Sequence, residues 1–126
     1  MSGFVHVTSL RAGFAALALV ISPAAVRAAN YEFLAAPEVD LNRVYRLDRA
    51  TGEVGACQYG LKEGTIGVTL CYPPAEGATA QTPSEFSLVS SRHEREAGVF
   101  RVDLRTGLMS ICYVLNETVV CTPGGK

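Results

Sequence analysis

Four cysteines, two arginine–aspartate pairs and a single histidine beyond the N-terminal stretch are the side chains of this 126-residue chain best equipped for chemistry. Cys57, Cys71, Cys112 and Cys121 form an even set with no Cys-x-x-Cys pair. That spacing points to two disulfides rather than to a zinc site or a nucleophilic thiol. Arg46 and Asp48 stand two residues apart, and so do Arg101 and Asp103. Two carboxylates in equivalent positions are the raw material of acid–base catalysis. An aspartate shortly before Thr-Gly is also the side chain that a hairpin turn uses to accept from its own backbone amides, and this is the reading adopted here. The guanidiniums offer a bidentate site for an acidic ligand, or a cross-strand pair with a carboxylate such as Glu53. His93 lies in the polar run Ser91-Arg92-His93-Glu94-Arg95-Glu96, the setting of a solvated loop residue. No Gly-x-Ser-x-Gly elbow, phosphate-cradling glycine loop or His-x-x-x-His pair is present, so the sequence assigns no catalytic residue, metal or cofactor.

The elements that position these residues come from a duplication. Residues 31–57 align without a gap on residues 86–112 at an offset of 55. Val44-Tyr45-Arg46-Leu47-Asp48 lies over Val99-Phe100-Arg101-Val102-Asp103, Thr51-Gly52 over Thr106-Gly107, and Cys57 over Cys112. The copies end alike, in Cys71-Tyr72-Pro73 and Cys121-Thr122-Pro123. Repeats therefore span 31–73 and 85–123, joined by a proline-containing, small-residue linker over 74–84 that reads as an exposed strap.

Apolar residues alternate over short stretches bounded by turn residues, so each copy reads as four strands. They are expected near 31–36, 43–48, 53–59 and 66–72, then 86–91, 98–103, 108–115 and 118–122. Within the second strand of each copy, Tyr45 and Leu47, or Phe100 and Val102, share one face and read as core. Arg46 and Asp48, or Arg101 and Asp103, share the other. If Asn116-Glu117 is a two-residue turn, stepping outward places Cys112 opposite Cys121 at a non-hydrogen-bonded pair that a disulfide spans. In the first copy Cys57 and Cys71 are symmetric about Gly64 in a turn-like loop. Of three possible connectivities, Cys57–Cys71 with Cys112–Cys121 is the one expected.

Residues 1–28 read as a secretory signal: an acid-free start with Arg11, an apolar run from Ala12 to Ile21, then Ser22-Pro23 and the small-residue site Val26-Arg27-Ala28. The apolar run is too short to span a bilayer core of about 30 Å. Cleavage after Ala28 would leave a single duplicated domain over 29–126, 98 residues long. Arg11 and Arg27 depart while all twelve acids stay, which takes the formal charge from −1 to −3. A mildly acidic domain without a basic stripe argues against nucleic acid as a partner.

The segments Arg46-Leu47-Asp48-Arg49-Ala50-Thr51-Gly52 and Arg101-Val102-Asp103-Leu104-Arg105-Thr106-Gly107, each followed five residues later by a cysteine, resemble a motif of small exported proteins of alphaproteobacteria. The resemblance covers most of the domain and implies a periplasmic, disulfide-bonded β protein without bringing an activity. Those proteins often carry a large residue before the second cysteine, where this chain has Leu70 and Val120. The Asp-x-x-Thr-Gly hairpins are also similar to those of quinoprotein-type β-propeller blades. Two blades cannot close a propeller, so that likeness concerns the local hairpin and implies no quinone.

The expectation is an all-β domain of two tandem four-stranded antiparallel units packing as a small sandwich or barrel after an N-terminal signal helix. It would be periplasmic or secreted and without a membrane span once cleaved. Its expected role is a non-catalytic interaction or ligand-binding module for an envelope protein or a small ligand, with Arg46, Asp48, Arg101 and Asp103 as candidate binding residues. The alternatives are a periplasmic enzyme or enzyme accessory acting on carbohydrate or peptide, and a self-associating envelope protein, for instance a homodimer that covers exposed strand edges.

Overall fold

A computed structural model of the chain describes residues 2–6, 8–21 and 30–126. Residues 2–6 and 8–21 are exposed and carry neither helix nor strand. The expected cleavage site at Val26-Arg27-Ala28 lies outside the described residues. Among the described residues, no helix is long and apolar enough to cross a membrane.

Residues 30–126 are all-β. The strands are β1 (Tyr31–Ala35), β2 (Arg43–Asp48), β3 (Val54–Gly60), β4 (Val68–Tyr72), β5 (Phe86–Val89), β6 (Val99–Asp103), β7 (Met109–Leu115) and β8 (Thr118–Cys121). They form two antiparallel meanders, β1-β2-β3-β4 and β5-β6-β7-β8, one from each copy of the repeat. Every strand falls within two residues of the position its alternation predicts.

The turns show why the meander forms. Asp48 Oδ1 accepts from the amides of Ala50 at 2.8 Å and Thr51 at 3.1 Å, and the Gly52 amide donates to the Asp48 carbonyl at 2.8 Å. Gly52 sits at φ 76°, open to glycine and costly to other residues. In the second copy Asp103 Oδ1 accepts from Arg105 at 2.9 Å and Thr106 at 3.2 Å, Gly107 donates to the Asp103 carbonyl at 2.8 Å, and its φ is again 76°. Both aspartates are thus turn acceptors. At the last hairpin Asn116 and Glu117 hold φ of 50° and 62°, the two positive values of the two-residue turn, which sets Cys112 opposite Cys121. Cys57 faces Cys71 in the same way, and both disulfides close as expected.

The packing of the two sheets departs from expectation. In the first sheet Tyr45, Leu47, Val54 and Ala56 point inward and are buried, while Arg46 points out to solvent. In the second sheet the opposite face is buried: Phe86, Leu88, Val99, Arg101, Ser110 and Cys112 point inward, and Phe100 is exposed. Phe100 and Val102 are therefore not core partners of Tyr45 and Leu47. The sheets stack face to back, with β1 and β2 against β5 and β3 against β8. Polar bonds cement the joint: the Tyr45 hydroxyl donates to the Ala97 carbonyl at 2.6 Å, and Ser87 Oγ donates to the Glu32 carboxylate at 3.1 Å.

The linker is exposed over 79–83, as its composition leads one to expect, but it is also tied to both sheets. The Ala75 amide donates to the Val119 carbonyl at 2.7 Å, and the Cys121 amide donates to the Glu76 carbonyl at 2.9 Å, which covers the outer edge of β8. The Val54 amide then donates to the carbonyl of Ala78, a residue buried completely between the sheets. Small residues here serve close approach: Gly77, at φ 74°, lies so near the Cys121 carbonyl that no side chain fits.

Candidate functional site

Two of the four candidate residues line one cleft. Beneath the linker, against the inner face of the second sheet, lies a cavity of about 530 Å³ whose walls include Gln81, Ser84, Phe86, Arg101, Asp103 and Thr122. β6 positions both charged groups, because Arg101 and Asp103 are two residues apart on a strand and so share a face. The linker supplies the opposite wall, held by bonds from Gln81 to the Thr51 carbonyl and from Ser84 to the Ala50 carbonyl.

Arg101 is buried, with 6% of its surface exposed. Its Nη1 donates to the Gly52 carbonyl at 2.7 Å, across the joint between the copies. Among the described residues no carboxylate pairs with it: the ion pairs are Arg49–Glu32 and Arg105–Glu85. Burial pulls its pKa down from the usual arginine value, and a guanidinium stays protonated regardless. The cleft wall thus carries a largely buried positive charge that no acid among the described residues neutralises. Asp103 takes its three hydrogen bonds, from Ser84 Oγ at 2.7 Å and from the Arg105 and Thr106 amides, on Oδ1 alone. The Ser84 bond, helped by the two amides, holds its carboxyl below the ordinary aspartate range.

Arg46 and Asp48 lie elsewhere. Arg46 stands on the outer face of the first sheet with its guanidinium 5.3 Å from the centre of the Tyr31 ring. The cross-strand pair with Glu53 does not form, because Arg46 lies opposite Gly55 in the register and Glu53 precedes β3. A second concavity of about 510 Å³, lined by Phe33, Val44, Arg46, Gly55 and the Cys57–Cys71 disulfide, opens on that face. The two arginines therefore serve different surfaces, and the two aspartates close separate turns. His93 is exposed in the loop before β6, with its amide on Ser91 Oγ.

Sequence reasoning missed Ser84, Gln81 and the linker as walls of the cleft. The legible signal was Pro83 immediately before Ser84, a rigid approach to β5, although its composition reads as an ordinary connector. Among the described residues, no group of three or more histidine, cysteine or acidic side chains is placed to hold a metal ion. Compared with known proteins, the chain matches no family model, no curated protein and no solved structure.

Proposed function

We propose that this protein is an exported, non-catalytic binding module whose cleft beneath the linker takes a ligand with an acidic group. The observation that carries this reading is the buried Arg101 guanidinium in the cleft wall, without a carboxylate partner among the described residues. Placing a charge in a low-dielectric wall is costly, and an anionic ligand making charge-assisted hydrogen bonds recovers part of that cost. Asp103 Oδ2, two residues along the strand, suits a hydroxyl or ammonium donor on the same ligand, so an acidic sugar or a peptide carboxylate fits the pair. A catalytic reading draws no support from the arrangement, because the repeat-equivalent Arg46 and Asp48 stay away from the cleft. Two disulfides fit an oxidising compartment, and with the signal-like leader they support a periplasmic or secreted location. The resemblance to small exported proteins agrees with that placement.

The test is a titration of the oxidised protein with acidic and neutral sugars and with short peptides, followed by amide NMR. Acidic ligands are expected to move the signals of residues 81–86 and 101–106, and Arg101→Lys is expected to weaken that binding while leaving the fold intact. Silence of those amides at millimolar anion, or turnover of a substrate that Asp103→Asn abolishes without unfolding, would defeat the proposal.

A further inference from the structure

The face-to-back stack leaves each end of the molecule with one half of its own internal joint. Inside the protein, the Tyr45 and Leu47 face of the first sheet meets the Leu88, Val99 and Arg101 face of the second. At the offset of 55 between the copies, the outer face of the first sheet repeats the buried face of the second: Tyr31 stands for Phe86, Phe33 for Leu88, Val44 for Val99, Arg46 for Arg101, and disulfide for disulfide. The outer face of the second sheet likewise repeats the buried face of the first, with Phe100 for Tyr45, Val102 for Leu47, Met109 for Val54 and Ile111 for Ala56. Both outer faces are apolar and open, with Phe33 63% exposed and Met109 50% exposed. A sheet face meant for water carries mainly polar side chains, whereas on these two faces apolar ones predominate around Arg46 and Ser87.

We infer that copies of this chain assemble head to tail, the outer face of the first sheet of one protomer seating on the outer face of the second sheet of the next. The internal joint is the template. There Arg101 donates to the Gly52 carbonyl at 2.7 Å, and the Phe86 ring lies so close to Gly52 that an added Cβ would meet it at 3.0 Å. The equivalent turn glycine, Gly107, has the same φ of 76° and closes the same turn, its amide donating to Asp103 as that of Gly52 donates to Asp48, with open space around it. In the assembly Arg46 donates to the Gly107 carbonyl of the next protomer and Tyr31 covers that glycine. Phe100 enters the concavity lined by Phe33, Val44 and the Cys57–Cys71 disulfide, as Tyr45 packs in the internal joint. Phe100 lacks the hydroxyl with which Tyr45 binds Ala97, and the linker that ties the internal joint has no counterpart between protomers. The intermolecular joint is accordingly the weaker of the two. Because the two faces differ, the contact is heterologous and propagates, closing as a ring or running as a filament.

This inference is independent of the cleft and its ligand. Sedimentation velocity of the purified oxidised protein is expected to show species larger than a protomer that dissociate on dilution. Val44→Glu disables one end and Phe100→Glu the other. Each variant alone is expected to be a folded protomer by circular dichroism, with the joint weakened at least about a hundred-fold by an unpaired buried charge. An equimolar mixture of the two is expected to recover a heterodimer through the one intact joint, and Arg46→Ala in the Phe100→Glu partner is expected to weaken that heterodimer. A protomer that stays single to about 0.1 mM overturns the inference. So does a dimer that survives either variant alone, or a mixture that fails to pair while both variants remain folded.

Discussion

The two disulfides offer a test of the face-to-back stack, because they are equivalent in the repeat and inequivalent in the fold. They close loops of similar size, with sequence separations of 14 and 9. In the loop-entropy picture these stabilise the domain by about 3.0 and 2.6 kcal/mol, a difference too small to separate them. Burial separates them. Cys71 is exposed on the outer face of the first sheet, whereas Cys112 and Cys121 lie between the sheets with 0% and 6% exposure. A thiol reductant reaches Cys57–Cys71 freely in the native protomer, whereas Cys112 is fully buried and Cys121 shows a sliver of surface at the cleft, so full attack on that bridge needs the sheets to part. If parting costs as much as unfolding a marginally stable domain, about 5 kcal/mol, the buried bridge reacts slower by about three to four powers of ten. The assay is a pulse of limiting reductant at a concentration where protomers are separate, quenched with alkylating agent and mapped by peptide mass spectrometry. Initial rates count, because losing the first bridge loosens the fold. Equal initial rates, or Cys112–Cys121 opening first, would refute the assignment of inner and outer faces.

Three further outcomes are expected. Gly77→Ala should destabilise the domain by at least about 2 kcal/mol in urea unfolding, since the new Cβ overlaps the Cys121 carbonyl, whereas Gly64→Ala, at φ 75° in open space, should cost about 1 kcal/mol from its backbone alone; equal losses would contradict the close approach of the linker. Glu117→Gly relieves a non-glycine residue at φ 62° and should raise stability by about 0.5–1 kcal/mol, seen as a melting temperature higher by about 2–6 °C. Asp103 has a lowered pKa in the folded protein, chiefly from Ser84, so its contribution is fully present above the ordinary carboxylate value near about 4 and is lost as pH falls through the lower folded value. Urea midpoints measured downward from neutral pH should therefore decline in that acid window, and Ser84→Ala should flatten the decline.

Much of this fold is written locally. Alternation places the strands, the Asp-x-x-Thr-Gly segments place the turns, and a two-residue turn at Asn116-Glu117 fixes the register that brings Cys112 to Cys121. These features depend on residues within a few positions of one another, so a single sequence carries them. The choice of face does not have that property. In β6 the inward set, Val99 and Arg101, is more polar than the outward set, Phe100 and Val102, so hydrophobicity alone selects the wrong side. Arg101 is held inside by a carbonyl from Gly52, 49 residues away in the other copy, and no local pattern announces that acceptor. The cleft was illegible for the same reason, since its second wall is a linker whose order comes from bonds to β3 and β8.

A further signal is legible in the sequence: in both copies the second strand carries apolar side chains on both of its faces. Val44 stands back to back with Tyr45, and Val99 with Phe100. A strand apolar on both sides belongs to a sheet covered on both sides. Among the described residues of one protomer each sheet finds one cover, so the duplicated sequence asks for a second. The same alternation that misleads about which face is core therefore supports the inferred head-to-tail assembly, in which both faces of each sheet would be buried.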